Sequence, residues 1–305
     1  MQTINEYQII AKIYESANSM VYRGRQNQGG KPVIIKLLKS DSTNPLEITR
    51  YKQEYQIIRQ LKLKGVVQAY ALEKHQSTLV IILEDFGGES LKNLMQVQKF
   101  NLKEIIEIAS KVADILGDIH TANIMHKDIN PANIIYNPKT KQIKIIDFGI
   151  STVLPRENPI VSHPNILEGT LAYMSPEQTG RMNRAIDYRT DFYSLGVTLY
   201  ELLAAQLPFA ITDAMELIHC HIAKQPVPPY KLNQEIPQII SDIVMKLLAK
   251  TAEDRYQSAY GLRIDLDLCL SQLQTCGKIA AFPLASKDVS DKFQISEKLY
   301  GRERE

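Results

Sequence analysis

Four stretches of the chain carry residue types suited to a charged, oxygen-rich substrate. Lys36 closes the apolar run Val33-Ile34-Ile35, and Glu54 follows eighteen positions later. The segment His126-Lys127-Asp128-Ile129-Asn130-Pro131-Ala132-Asn133 supplies an acid and two amides, and Asp147-Phe148-Gly149 follows the apolar run Ile143–Ile146. A lysine amine neutralises anions, carboxylate and amide oxygens suit a hard divalent cation, and a single carboxylate can orient a hydroxyl. Singly, each has an ordinary reading. A strand-end lysine and a helix glutamate are usually solvated charges, and Asp or Asn near a turn usually forms or caps it. Their meaning depends on whether the intervening elements bring them together.

Those elements fall into two kinds. From Tyr7 to Leu83 the pattern gives short strands at Tyr7–Ile13, Met20–Arg25, Val33–Leu38, Val66–Leu72 and Thr78–Leu83. Turns at Gly29-Gly30 and His75-Gln76-Ser77 are too short for parallel crossovers, so the strands should pair antiparallel. One helix interrupts them, with Asn44 as N-cap, Pro45 at its first position, and Tyr51, Tyr55, Ile58 and Leu61 at helical spacing. After Gly87-Gly88 the period changes. Leu102, Ile105, Ile106, Ala109, Val112, Ala113, Leu116 and Ile119 mark one face of a long helix. Ile134–Tyr136 and Ile143–Ile146 read as a hairpin, and Phe192–Leu203, apolar nearly all round, as an enclosed central helix. Beyond Cys276 the helical period fades. The expected division is therefore 1–88, 89–275, and 276–305 as a linker or the truncated start of a following module.

Composition narrows the function classes. The 305 residues carry 36 Lys+Arg against 34 Asp+Glu, a net charge of +2, so nucleic acid and anionic membranes are poor partners for the chain as a whole. Three cysteines without CxxC spacing argue against a disulfide framework or structural zinc and point to a reducing cytoplasm. Met1–Glu6 lacks the features of a signal peptide, and the apolar stretch Leu195–Ala205 is too short to span a bilayer and contains Glu201. Two look-alikes fail. Gly24–Lys31 almost spells a phosphate-binding P-loop, but Gly30 displaces the lysine and Pro32 opens a strand. His219-Cys220-His221 cannot converge on a metal, because successive helix residues point in different directions.

Taken in order, Val33–Lys36, His126–Asn133, Asp147–Gly149 and Gly169-Thr170-Leu171-Ala172-Tyr173-Met174-Ser175-Pro176-Glu177 resemble the motif set of Hanks-type serine/threonine protein kinases. The resemblance covers about residues 7 to 272. It implies an α+β bilobal fold, with an antiparallel sheet and one helix in the N-lobe and a mainly helical C-lobe. It also implies transfer of the ATP γ-phosphate, with magnesium or manganese, to Ser or Thr hydroxyls of a protein substrate. By the same resemblance Lys36 holds the α- and β-phosphates and Glu54 is its partner. Asp128 orients the substrate hydroxyl, Asn133 and Asp147 are metal ligands, and Thr170 is the threonine of the Ser/Thr class. Ile13, Val21, Leu83, Glu84 and Phe86 would line the nucleotide site, with Leu83 guarding the rear of the pocket and Glu84-Asp85-Phe86 forming a hinge whose backbone grips adenine. His126, Phe148 and Ile58 match an apolar column between the lobes, Asp191 an acid bracing the catalytic loop, and Glu177 with Arg255 a buried pair. Ile150–Glu168 would be the activation segment, with Ser151, Thr152 and Ser162 as candidate phosphosites, although each taken singly reads first as part of an ordinary surface loop.

Several positions depart from the family pattern. Tyr14, Ser16 and Ser19 stand where the first loop carries glycines, Lys127 replaces an arginine, and Asn130 replaces a lysine that steadies the γ-phosphate. An amide cannot neutralise charge, so slower turnover is expected. These departures resemble the kinase heads of large bacterial and cyanobacterial multidomain sensor kinases. There an ATPase-like module follows, and its opening resembles Tyr300-Gly301-Arg302-Glu303. Two alternatives stand beside the protein kinase reading: a pseudokinase that regulates an attached module, and a small-molecule phosphotransferase. The peptide-receiving segment Gly169–Glu177 speaks against the second.

Overall fold

A computed structural model describes residues 3–16, 18–39, 45–153, 170–182 and 184–289. The first part of the chain forms strands Thr3–Ile4 (β1), Tyr7–Glu15 (β2), Ser19–Gln26 (β3), Pro32–Leu38 (β4), Ala69–His75 (β5) and Thr78–Glu84 (β6), with helix Pro45–Leu61 (α1) between β4 and β5. They build one antiparallel sheet in the order β1-β2-β3-β4-β6-β5. Gly29 and Gly30 make the β3–β4 turn at φ of 83° and 64°, where a side chain would be strained. Pro45 opens α1 as expected, whereas Asn44 lies outside the described residues.

The expected strand at Val66 starts later, at Ala69. Val66 instead bridges Ile145 in parallel, Val67 N–H donates to the Ile145 carbonyl at 3.2 Å, and Ile145 N–H donates to the Gly65 carbonyl at 2.8 Å. The chain is thus fastened to the second half of the molecule before it re-enters the sheet. Gly65 is required there, because a Cβ would stand 2.2 Å from Ile115 Cγ1.

The second half comprises Glu89–Ser90 (β7), Leu91–Val97 (α2), Leu102–Thr121 (α3), Ile124–Met125 (β8), Ile134–Asn137 (β9), Gln142–Ile145 (β10) and Thr152–Val153 (β11). Five helices complete it: Arg189–Ala204 (α4), Ala214–Ala223 (α5), Pro229–Leu232 (α6), Gln238–Leu247 (α7) and Ala259–Cys276 (α8). A capping box starts α3: Glu104 N–H donates to Asn101 Oδ1 at 2.9 Å, and Asn101 N–H donates to Glu104 Oε2 at 3.1 Å. The apolar face expected for α3 is buried from Ile105 to Ile119, and α4 is enclosed from Arg189 to Tyr200. One hydrophobic core runs from Ile58 and Leu83 in the sheet half to Leu116 and Phe192 in the helical half. This is the α+β bilobal arrangement.

The chain after α8 does not leave the surface at once. Ile279, Phe282, Leu284 and Ala285 pack against the core, and Asp288 accepts hydrogen bonds from Gln257 N–H and Ser258 Oγ, both at 2.6 Å. Residues 277–288 therefore form part of the packed body, although their sequence lacks helical period. Tyr300-Gly301-Arg302-Glu303, Gly169, Ser162 and most of Ile150–Glu168 lie outside the described residues.

Candidate active site

Lys36 sits on β4 directly opposite Val21 on β3 and Ile81 on β6. Its amine donates to Glu54 Oε1 and Oε2 at 2.7 and 2.8 Å and to Asp147 Oδ1 at 3.0 Å. Tyr51, one turn before Glu54, ties α1 to the sheet, since its hydroxyl donates to the Lys36 carbonyl and accepts from Ile81 N–H. Burial pushes the Glu54 carboxyl up to about 7 against the opposing pull of Lys36. Burial works to lower the Lys36 amine, but Asp147 and Glu54 outweigh it and hold the amine above its ordinary value. The Lys36 charge keeps Asp147 below the usual carboxylate range.

Asp128 is held from two sides. Asn133 Nδ2 donates to its Oδ2 at 3.0 Å and to its carbonyl at 2.9 Å, while Thr170 N–H donates to its Oδ1 at 2.9 Å. Asn130 is buried in the same turn: Nδ2 donates to the Asp128 carbonyl at 3.1 Å and to Thr170 Oγ1 at 3.3 Å, and Oδ1 accepts from Ala132 N–H. At this position the amide joins the loop to Thr170. Lys127 and Asp147 adopt φ of 66° and 65°, a left-handed backbone that non-glycine residues seldom take outside over-determined sites.

The loop rests on Asp191 in the first turn of α4, which is fully buried. Its Oδ2 lies 2.8 Å from His120 Nε2 and accepts from His126 N–H at 3.0 Å, and its Oδ1 accepts from Lys127 N–H at 2.7 Å. Burial alone would raise this carboxyl, but the partners, His120 foremost, hold it low. His126 stacks edge-on against Phe148 at 4.7 Å, its Nε2 lies 3.0 Å from the Ile146 carbonyl, and Ser151 Oγ donates to its carbonyl at 3.1 Å. Phe148 and Ile58 belong to the same buried cluster. Arg255 grips Glu177 with two bonds of 2.6 and 2.8 Å, and this pairing keeps Glu177 low although burial opposes it.

At the crossing between the halves, Leu83 is buried and Glu84 and Phe86 are partly exposed. Phe86 N–H makes no hydrogen bond among the described residues, while its carbonyl accepts from Asn137 Nδ2 at 2.9 Å. Val21 and Ile13 are half-buried, Ile13 within a β-bulge between Lys12 and Tyr14. The loop that follows is closed on itself: Ser16 Oγ accepts from Asn18 N–H at 3.3 Å and Ser19 N–H at 3.0 Å, and Ser16 N–H donates to the Ser19 carbonyl at 2.9 Å. His221 is buried beside Tyr193, 3.0 Å from its hydroxyl, and burial lowers its imidazole to about 4. Among the described residues no group of three or more His, Cys, Asp or Glu can hold a metal by itself.

Sequence reasoning missed Tyr51 and Lys144. Lys144 donates to Glu84 Oε2 at 2.6 Å and is nearly inaccessible. A lone cation inside the apolar run Ile143–Ile146 was the available signal, because a buried amine demands a partner.

The arrangement of sheet, crossing, loop and buried acid defines a class. The protein kinase domain pattern matches residues 7–263, and the chain belongs to that family. It is 32% identical over 96% of its length to a probable serine/threonine-protein kinase of Clostridium perfringens, covering 41% of that protein. It is 31% identical over 86% of its length to a probable serine/threonine-protein kinase of Streptomyces coelicolor (39% covered) and 29% identical over 81% to the serine/threonine-protein kinase PknB of Mycobacterium tuberculosis (40% covered). The chain thus spans about two fifths of the length of these relatives. Among the described residues no helix is long and apolar enough to cross a membrane.

The residues present fit a magnesium ion shared with a nucleotide. Asn133 spends its Nδ2 on Asp128, which leaves its Oδ1 as an oxygen donor, and Asp147 contributes a carboxylate that is 44% exposed. Two such oxygen ligands, completed by phosphates and water, are what magnesium ordinarily takes.

Proposed function

We propose that this domain is an ATP-dependent serine/threonine protein kinase of cytoplasmic signal transduction, acting on Ser or Thr hydroxyls of protein substrates. The observation that carries the reading is the convergence of Lys36, Glu54 and Asp147, 111 residues apart from first to last, within 3.0 Å of one amine. Lys36 would neutralise the α- and β-phosphates, while Asn133 and Asp147 would hold magnesium, which when bound screens the charge on the transferring group. Asp128 would orient the substrate hydroxyl and take its proton as the oxygen bonds to the γ-phosphorus and the bond to the β-phosphate oxygen breaks. Asn130 would fix Thr170 and the loop without adding charge, which favours slow turnover. Covalently attached downstream signalling modules belong to the same proposal, which is supported by the chain spanning only about two fifths of the length of the relatives it matches.

A second reading, a pseudokinase that responds to nucleotide without transferring phosphate, draws support from the first loop, where Ser16 already occupies the Asn18 and Ser19 amides. Incubation of the pure domain with γ-labelled ATP, magnesium and a generic protein substrate separates the two. Label appearing as phosphoserine or phosphothreonine, and absent from an Asp128→Asn control, supports the kinase. Equal label in both, or none in either, supports the regulator.

A further inference from the structure

Three successive residues at the crossing between the lobes are each held by a different side chain. Lys144, on β10, donates to Glu84 Oε2 at 2.6 Å and to the Val66 carbonyl at 3.4 Å, with only 4% of its side chain exposed. Arg23, on β3, donates to Asp85 Oδ2 at 2.8 Å and to the Gly88 carbonyl at 3.1 Å. Asn137, at the end of β9, donates to the Phe86 carbonyl at 2.9 Å. The helical half therefore grips the Glu84 side chain and the Phe86 carbonyl, while the sheet half holds the Glu84 backbone, paired with Val33 and donating to the Gln68 carbonyl at 2.9 Å, and the Asp85 side chain. Lys144 also lies 5.7 Å from the Phe86 ring centroid, so one buried cation touches both residues that flank Asp85.

A buried amine in an otherwise apolar strand is sustained only by a well-placed anion. Here the anion belongs to the segment whose backbone would receive a nucleotide base, and the Phe86 N–H beside it has no partner among the described residues. We propose that Lys144 is a positioning residue of the nucleotide site: by fixing Glu84 against β10 it holds the Glu84–Phe86 backbone in the geometry that receives the adenine ring. Lys144 touches neither phosphate nor acceptor in this account, so it sets nucleotide affinity and leaves the transfer step alone. The inference rests on the kinase reading given above.

The test measures MgATP binding and steady-state transfer for the wild-type domain, Lys144→Met, and the double variant Lys144→Met/Glu84→Gln, with thermal melting of each. The expected result is a KM for ATP raised about tenfold in Lys144→Met, with kcat held within about threefold. In the double variant, which leaves no unpaired buried charge, melting returns toward wild type while the KM for ATP stays high. Recovery of both melting and KM in the double variant would overturn the proposal, because it would reduce Lys144 to neutralising Glu84. An unchanged KM in Lys144→Met, or a parallel fall in kcat, would overturn it as well. Failure of the wild type itself to bind MgATP would overturn the kinase reading and this proposal with it, whereas equal binding by wild type and Lys144→Met would overturn this proposal alone.

Discussion

The Glu54 carboxyl shows how one residue joins folding to function. It is 3% exposed, and its folded value of about 7 stands above the ordinary 4.5. Between those values the folded protein keeps a proton that the unfolded chain has released. The contribution of this group to stability is therefore greatest below about pH 4.5 and fades as the pH rises through about 7. In nucleotide-free protein, wild type should lose stability relative to Glu54→Gln between pH 5 and pH 8, by on the order of 2 kcal/mol, and run parallel above that. Denaturant melts of both proteins across this range provide the check, and curves that superimpose would contradict the assignment. The reason to keep so costly an acid in the interior is Lys36, whose amine needs an anchor on α1 if it is to stand beside Asp147.

Among the elements, the loop between β2 and β3 departs furthest from what its neighbours serve. Glycines at its turn would leave the backbone amides to a phosphate, but the Ser16 hydroxyl accepts from the Asn18 and Ser19 amides and lies 3.1 Å from the Ser19 hydroxyl. Ser16→Ala, which frees both amides without loosening the chain as glycine would, should lower the KM for ATP about threefold, a modest change in keeping with the net worth of one neutral hydrogen bond. A raised KM in steady-state kinetics would show instead that the serine turn builds the phosphate site. Much at this scale was legible in the sequence. The period-2 runs gave β2, β3, β4 and β6 within two residues of their observed ends, and the apolar face of α3 stands as read. Val66 was misplaced because a β-branched, apolar pair suits a strand edge and a junction equally. Its partner, Ile145, lies 79 positions away, and local pattern carries no information about such pairing.

For the whole molecule, the order of motifs pointed to the candidate site more readily than local pattern pointed to the packing around it. Lys36, Glu54, Asp128, Asn133 and Asp147 were recognisable from type and order, and in the folded chain they form two hydrogen-bonded groups, one about Lys36 and one about Asp128. The supports were only partly legible. Asp191, Glu177 and Arg255 carry family positions, whereas Lys144 on Glu84, Tyr51 on the Lys36 carbonyl and Asp288 on the Gln257–Ser258 corner depend on register and on how a non-helical tail lies against α8. That tail reads as linker because Pro283 and the residues around it carry no periodicity, yet Phe282 and Leu284 are enough to dock it.

In the proposed reaction Lys36 and Asp147 act together on one metal-bound triphosphate. Its most direct measurement is the initial rate of γ-phosphate transfer as a function of magnesium concentration, for wild type and Asp147→Asn, with melting recorded for both. Magnesium-dependent transfer by the wild type is expected, with a fall in kcat of at least about a hundredfold in Asp147→Asn while melting shifts by only a few degrees. Transfer by Asp147→Asn at the wild-type rate and with the same magnesium dependence would contradict it.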